Sequence, residues 1–182
     1  HLVEAVRRLI ESHGIDGFSI AEACRMAGVS TAAPYKHFRD RDDIVHAVIL
    51  GALGRMGTAL QAAADAYPAG DPERIVALGK AYIDFARAEP GIFGVMFGHA
   101  STHAENEDLA EEGRAKFAIV IRVVAEHMQR PMDDPDVGAR AYALWCAVHG
   151  HSFLVLDGKA DKTEVTVPED DYLRLVARSY LG

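Results

Sequence analysis

The stretch Ser19-Ile-Ala-Glu-Ala-Cys-Arg-Met-Ala-Gly-Val-Ser-Thr-Ala-Ala-Pro-Tyr-Lys-His-Phe38 constrains the fold more than any other part of the 182-residue chain. Ser19 followed by Glu22 has the spacing of a capping box, so a helix is expected to start there. Ile20, Ala23, Cys24 and Ala27 fall at i, i+3, i+4 and i+7, which gives that helix one apolar face. Gly28 suits the left-handed residue that closes a helix, because it has no Cβ to clash. Ser30 can cap a second helix, Thr31 to Phe38, whose first N–H groups would face outward. Two short helices joined by a tight turn form the layout of a helix-turn-helix, whose second helix enters the major groove of DNA.

The residues that follow narrow the reading. Val29-Ser30, Tyr35, His37-Phe38 and then Asp40-Arg41-Asp42-Asp43-Ile44 stand in an order that resembles the DNA-binding domain of the tetracycline-repressor (TetR) family. On that resemblance Val29 and Phe38 are apolar pegs that hold the second helix on a small core. Tyr35, Lys36 and His37 offer hydroxyl, ammonium and imidazole donors to phosphates, contacts that set register without reading sequence. Thr31, Ala33 and Pro34 are expected at base edges, with Ala33 or Pro34 against a thymine methyl. Arg41 stands where relatives grip a phosphate, and Ser19 and Ser30 complete the expected DNA-binding set. The chain departs from many relatives in carrying Ala32-Ala33-Pro34 in place of Gly-Thr-Leu. Pro34 forfeits one early backbone hydrogen bond, so a slight bend is expected and base preference does not carry over.

A formal net charge of −8 opposes a DNA partner on its face. Most of the excess lies outside the motif: residues 1–50 hold six Lys/Arg against seven Asp/Glu, and residues 51–182 thirteen against twenty. Arg25, Lys36, Arg39 and Arg41 gather on or beside the motif, so binding is expected to rest on a local patch. The resemblance also implies a flexible, often basic arm ahead of His1. Cys24 and Cys146 read as small buried hydrophobes in a reducing cytosol, with a redox switch as the alternative. No signal peptide pattern is present and no apolar run approaches a membrane span, so a cytoplasmic protein without a membrane partner is expected.

Helical periodicity continues along the whole chain. Leu2, Val6, Leu9 and Ile10 line a first helix closed by Gly14, with Phe18 stapling the next. Asp40 caps a long helix whose stripe Ile44, Val48, Ala52, Met56 and Leu60 runs to about Ala64. Asp71 and Pro72 start another, with Ile75, Leu78, Tyr82 and Phe85 inward. Gly98 to Asn106 reads as loop, and helix resumes over about Glu107 to Met128. The stretch Asp134–Leu156 is apolar nearly all round, one stripe being Val137, Ala141, Leu144, Trp145 and Val148 and another Tyr142, Cys146 and Phe153. A last helix after Pro168 carries Leu173, Val176, Tyr180 and Leu181. The expected fold is all-α with about nine helices: a three-helix helix-turn-helix domain over 1–47 and a helical ligand-binding and dimerisation domain over 48–182.

Within that second domain Trp145-x-x-x-His149-Gly150 resembles the signature of the WHG-type effector domain of one TetR branch. The resemblance implies a homodimer paired through the 134–156 and 168–181 helices, a palindromic double-stranded DNA operator, and release of repression by a small-molecule effector. Phe85, Phe93, Met96, Phe97, Phe117, Tyr142, Trp145 and His149 are the expected lining of the effector pocket, which suits a largely apolar ligand with one or two polar atoms. Ordinary core packing explains the same spacing, which leaves a regulator without an effector as an alternative. Catalysis finds no support, because no nucleophile elbow or phosphate loop occurs, and no cofactor is implied. The pairs His149/His151 and His99/His103 raise a metal-responsive regulator as a further alternative, but neither pair has a ligand set around it.

Overall fold

The computed structural model describes residues 1–98, 106–163 and 165–182. Its described residues form eight α-helices and two short 3₁₀ turns, with no strand, which agrees with the all-α reading. They divide into two compact units: His1–Arg55 with Glu89–Gly113, and Met56–Ala88 with Arg114–Gly182.

In the first unit, α1 (Leu2–Gly17) is interrupted at Gly14, whose φ of 74° only glycine adopts freely. Phe18 follows, buried as expected, and α2 (Ile20–Ala27) packs on α1. Val6, Leu9 and Ile10 of α1, Ala23 and Cys24 of α2, and Ile44, Val45 and Val48 of α3 (Arg41–Asp65) are all buried. Asp40 caps α3 as expected, its carboxylate accepting the Asp43 N–H at 2.9 Å.

The short helix α5 (Pro90–Phe97) also belongs to this unit and packs on α1. Its first N–H groups find an acceptor in Glu11, whose carboxylate takes Gly91 N and Ile92 N at 2.9 Å each. A Cβ at Gly91 would lie 3.0 Å from the α1 backbone, so the close approach favours glycine. Glu89 is meanwhile held by Arg55, with contacts at 2.6 and 2.7 Å. These pairings explain why the compact units depart from a single division between residues 47 and 48: the partners are distant in sequence and no local pattern announces them.

By length and composition alone α3 could cross a membrane, contrary to the expectation that no run approaches that length. Its apolarity is accounted for by protein core, since Ile44, Val48, Ala52, Met56 and Leu60 are all buried.

The second unit contains α4 (Glu73–Ala88), most of α6 (Glu107–Met128), α7 (Pro135–Leu156) and α8 (Glu169–Leu181). Asp71 and Asp134 cap α4 and α7 through bonds from Glu73 N and Asp136 N. Ile75, Leu78, Tyr82 and Phe85 are buried as the pattern required. Arg74 is buried beside them at 4% exposure, donating to the Ala64 carbonyl at the end of α3 and pairing with Glu126 of α6. Helix α4 meets α7 and α8 so closely at Gly79 that a Cβ there would lie 2.6 Å from Leu173 Cδ2. On α8 the inner residues are Leu173 and Ala177, while Tyr180 of the expected stripe is exposed. The polar segment after α7 holds a 3₁₀ turn at Ala160–Thr163, and the interior of the expected 98–106 loop lies outside the described residues.

Candidate nucleic-acid interface

The turn of the motif forms as its residues dictate. Gly28 sits at φ 69°, ψ 30°, and Val29 N reaches back to Cys24 O at 3.0 Å, the six-to-one bond of a Schellman ending. Ser19 stands at the head of α2, but its side chain makes no cap bond, and Glu22 pairs with Arg25 at 3.3 Å instead of reaching back.

The second helix expected over Thr31–Phe38 does not form as an α-helix. Residues 30–33 make a turn, with Ala33 N bonded to Ser30 O at 3.0 Å, and a 3₁₀ turn covers Pro34–Lys36. Pro34 is the reason, for it has no N–H to return to Ser30 and so breaks the ladder where it would begin. The expected slight bend is a change of helix type. Phe38 N then bonds to Pro34 O at 2.9 Å, which closes the segment.

This geometry reassigns three residues. Pro34 is fully buried and anchors the turn, so it is not offered to a base edge. Val29, expected as a peg, is 41% exposed. Arg41 is half-buried: its guanidinium donates to the Ile15 carbonyl and lies 4.2 Å over the Phe18 ring. What remains outward lies on either side of the buried Pro34, with Ser30 and Thr31 exposed, Ala33 half-buried, and Tyr35, Lys36 and His37 exposed, Tyr35 at 58%. Lys36 has no acidic partner among the described residues. Arg39, which belongs to the expected basic patch without a phosphate contact of its own assigned there, also points outward, and Asp43 holds it, as Glu22 holds the exposed Arg25. The guanidinium bound to Asp43 keeps that carboxyl at about 2, below its usual range.

A second cluster lies in the second unit, where the WHG-like residues sit. Trp145 Nε1 donates to Tyr82 Oη at 3.3 Å, and Tyr82 Oη lies 2.9 Å from His149 Nδ1. An indole N–H can only donate, so Tyr82 Oη accepts from Trp145, while the direction of its bond with His149 Nδ1 follows the imidazole tautomer. Burial pushes the Tyr82 phenol up and the His149 imidazole down, so both stay neutral. Phe117 and Trp145 (5.7 Å between centroids), Trp145 and His149 (5.5 Å), and His149 and Phe153 (5.1 Å) continue as a row of rings. Beside this row Tyr82 and Trp145 join Leu60, Leu78 and Val148 in lining a cavity of about 50 Å³.

Of the eight expected pocket residues only Trp145 lines this cavity. His149 and Phe117 belong to the ring row, Phe85 is buried, and Tyr142 is 58% exposed, so it is not an interior wall. Phe93, Met96 and Phe97 belong to the first unit, where Phe93 and Phe97 pair at 5.0 Å. Tyr82 and Phe153 complete the cluster without having been expected in the pocket lining, since the sequence shows each only as a stripe position. Cys24 is buried as expected, whereas Cys146 is exposed. No group of three metal-ligating side chains occurs among the described residues, and His99 and His103 lie outside them.

Two family models match the chain. Residues 2–48 match "Bacterial regulatory proteins, tetR family", and residues 75–179, which include Trp145, His149 and Gly150, match "Tetracyclin repressor-like, C-terminal domain". No curated protein matches it. Among solved structures, a protein with unknown function from Rhodococcus sp. RHA1 is similar at 28% identity and a TM-score of 0.76, covering 100% of this chain and 94% of that one. A TetR/AcrR family transcriptional regulator from Thermobifida fusca has the same fold at 17% identity and a TM-score of 0.68, covering 100% and 94%. PfmR, a TetR family transcriptional regulator from Thermus thermophilus, does so at 15% identity and 0.66, covering 100% and 97%. With one family model on the helix-turn-helix and another over more than half the sequence, the chain belongs to the TetR family of transcriptional regulators.

Proposed function

We propose that the protein acts as a cytoplasmic homodimeric repressor that binds an imperfect palindrome through Ser30, Thr31, Tyr35, Lys36 and His37. The dimer reading rests on one observation above all: α7 and α8 leave Tyr142, Cys146, Leu154, Leu175 and Tyr180 exposed together with a row of half-buried apolar neighbours. Pairing this surface with its twin would bury it and give the two heads two-fold symmetry, with half-sites about 34–36 Å apart. Tyr35, Lys36 and His37 then supply contacts to the backbone, and Thr31 and Ala33 remain for base edges. Substituting Tyr35→Ala or Lys36→Ala weakens binding to every duplex, and Lys36→Ala also flattens the salt dependence by about one phosphate contact. An unchanged salt slope in Lys36→Ala would remove Lys36 from the interface.

The effector is proposed to be a small, largely apolar molecule with a polar atom for the Tyr82–His149 pair. A cavity of about 50 Å³ is far smaller than the several hundred Å³ of a ligand pocket, so such a molecule would select a wider, less populated state. If that state spaces the heads wrongly, linkage requires ligand to weaken DNA binding by the same coupling energy, with α3 carrying the movement. The small cavity equally favours a second reading, a regulator with no small-molecule effector. Thermal-shift screening with apolar aromatic and acyl compounds separates the two, since a ligand of the folded state must raise the unfolding temperature.

A further inference from the structure

We propose that Arg39 grips a backbone phosphate of DNA and that Asp43 parks it against the start of α3 until the phosphate displaces the carboxylate. The inference rests on the DNA-binding reading of the helix-turn-helix face. The cation expected to hold a phosphate, Arg41, is committed elsewhere, bonded to Ile15 O and stacked on Phe18. The first fifty residues have no surplus of positive charge, so each outward cation matters.

Arg39 has the right position and the right engagement. It lies three residues from Lys36, and its side chain is 85% exposed. Asp43 holds its fork through Nε at 2.8 Å and Nη2 at 2.6 Å, a two-point grip that a phosphate can reproduce. Asp43 does not depend on that guanidinium to stay in place. Its carboxylate also accepts Arg39 N at 2.9 Å and lies in the first turn of α3, where negative charge is favoured. An exposed ion pair contributes little net stability, so a phosphate can exchange for the carboxylate at small cost.

The test measures binding of the full chain to a mixed-sequence duplex over a range of salt, after circular dichroism has shown each variant folded. Arg39→Ala is expected to weaken binding several-fold and to reduce the salt slope by about one unit. Arg39→Lys keeps most of the slope, because the charge remains. Asp43→Asn frees the guanidinium and tightens binding at low salt, and this gain disappears in the Arg39→Ala background. An unchanged slope in Arg39→Ala would overturn the phosphate role. A gain from Asp43→Asn that survives in Arg39→Ala would overturn the parking, since it would reflect only relief of repulsion between Asp43 and DNA. A wild-type chain that binds no duplex at low salt would bring down the DNA-binding reading itself, and the inference with it.

Discussion

The helix-turn-helix face and the Tyr82–Trp145–His149 cluster are built in opposite ways. On the face, the chemistry-bearing groups are neighbours in sequence and point to solvent, while the few apolar positions between them anchor the segment. In the cluster, the groups come from α4 and α7 and meet only because both helices are packed, with burial keeping them neutral. The difference separates two kinds of failure. A substitution on the face should remove binding and spare the fold. One behind the cluster should loosen the fold first.

The largest expected effect breaks the second unit. Arg74→Met leaves the Ala64 carbonyl and Glu126 without their buried partner, and should cost about 3 kcal/mol, the lower end for breaking a buried ion pair, because Glu126 keeps Arg122. Urea unfolding measures it; a loss within error would mean that Arg74 is dispensable to the joint between α3, α4 and α6. Gly79→Ala places a Cβ against Leu173 and should cost about 1–3 kcal/mol by overpacking, read as a lower unfolding temperature. Tyr82→Phe removes the atom that accepts from Trp145 and bridges to His149, and should cost about 1 kcal/mol. By contrast Lys36→Ala, which alters an exposed unpaired side chain, should leave stability within about 0.5 kcal/mol.

The smallest effect is an acid limb. Glu4, hydrogen-bonded to Arg7, and Asp43, hydrogen-bonded to Arg39, both titrate at about 2, below their unfolded values. A depressed carboxyl contributes stability above its unfolded value and loses it as pH falls through the folded one. Stability should therefore decline from about pH 4.5 towards pH 2, and the decline should be shallower in Asp43→Asn. An identical decline in that variant would mean that Asp43 carries none of it.

What was legible in the sequence follows the same division. Caps and turns are local, so Asp40, Asp71 and Gly28 do what their positions demand, although the equally local Ser19–Glu22 box stays open because Glu22 pairs with Arg25. The buried stripes of α3 and α4 were readable from periodicity. Proline chemistry was visible at Pro34, but its consequence depended on competition: with no N–H to close the ladder and an apolar socket to fill, the segment took a 3₁₀ turn. Arg41 takes its expected phosphate role from the resemblance to relatives, and a resemblance does not show that Ile15 O and Phe18 are within its reach. Tyr82 could be read as core but not as a polar bridge, because its partners lie more than sixty residues away.

The most direct test of the central claim is selection of a randomised duplex library on the wild-type protein at moderate salt, followed by sequencing of what is retained. The account predicts an enriched imperfect palindrome whose half-sites lie one helical turn apart, lost when Tyr35 and Lys36 are both replaced by alanine. Folded protein that enriches no sequence, or enriches a single unrepeated site, would contradict a dimer that reads DNA through this face.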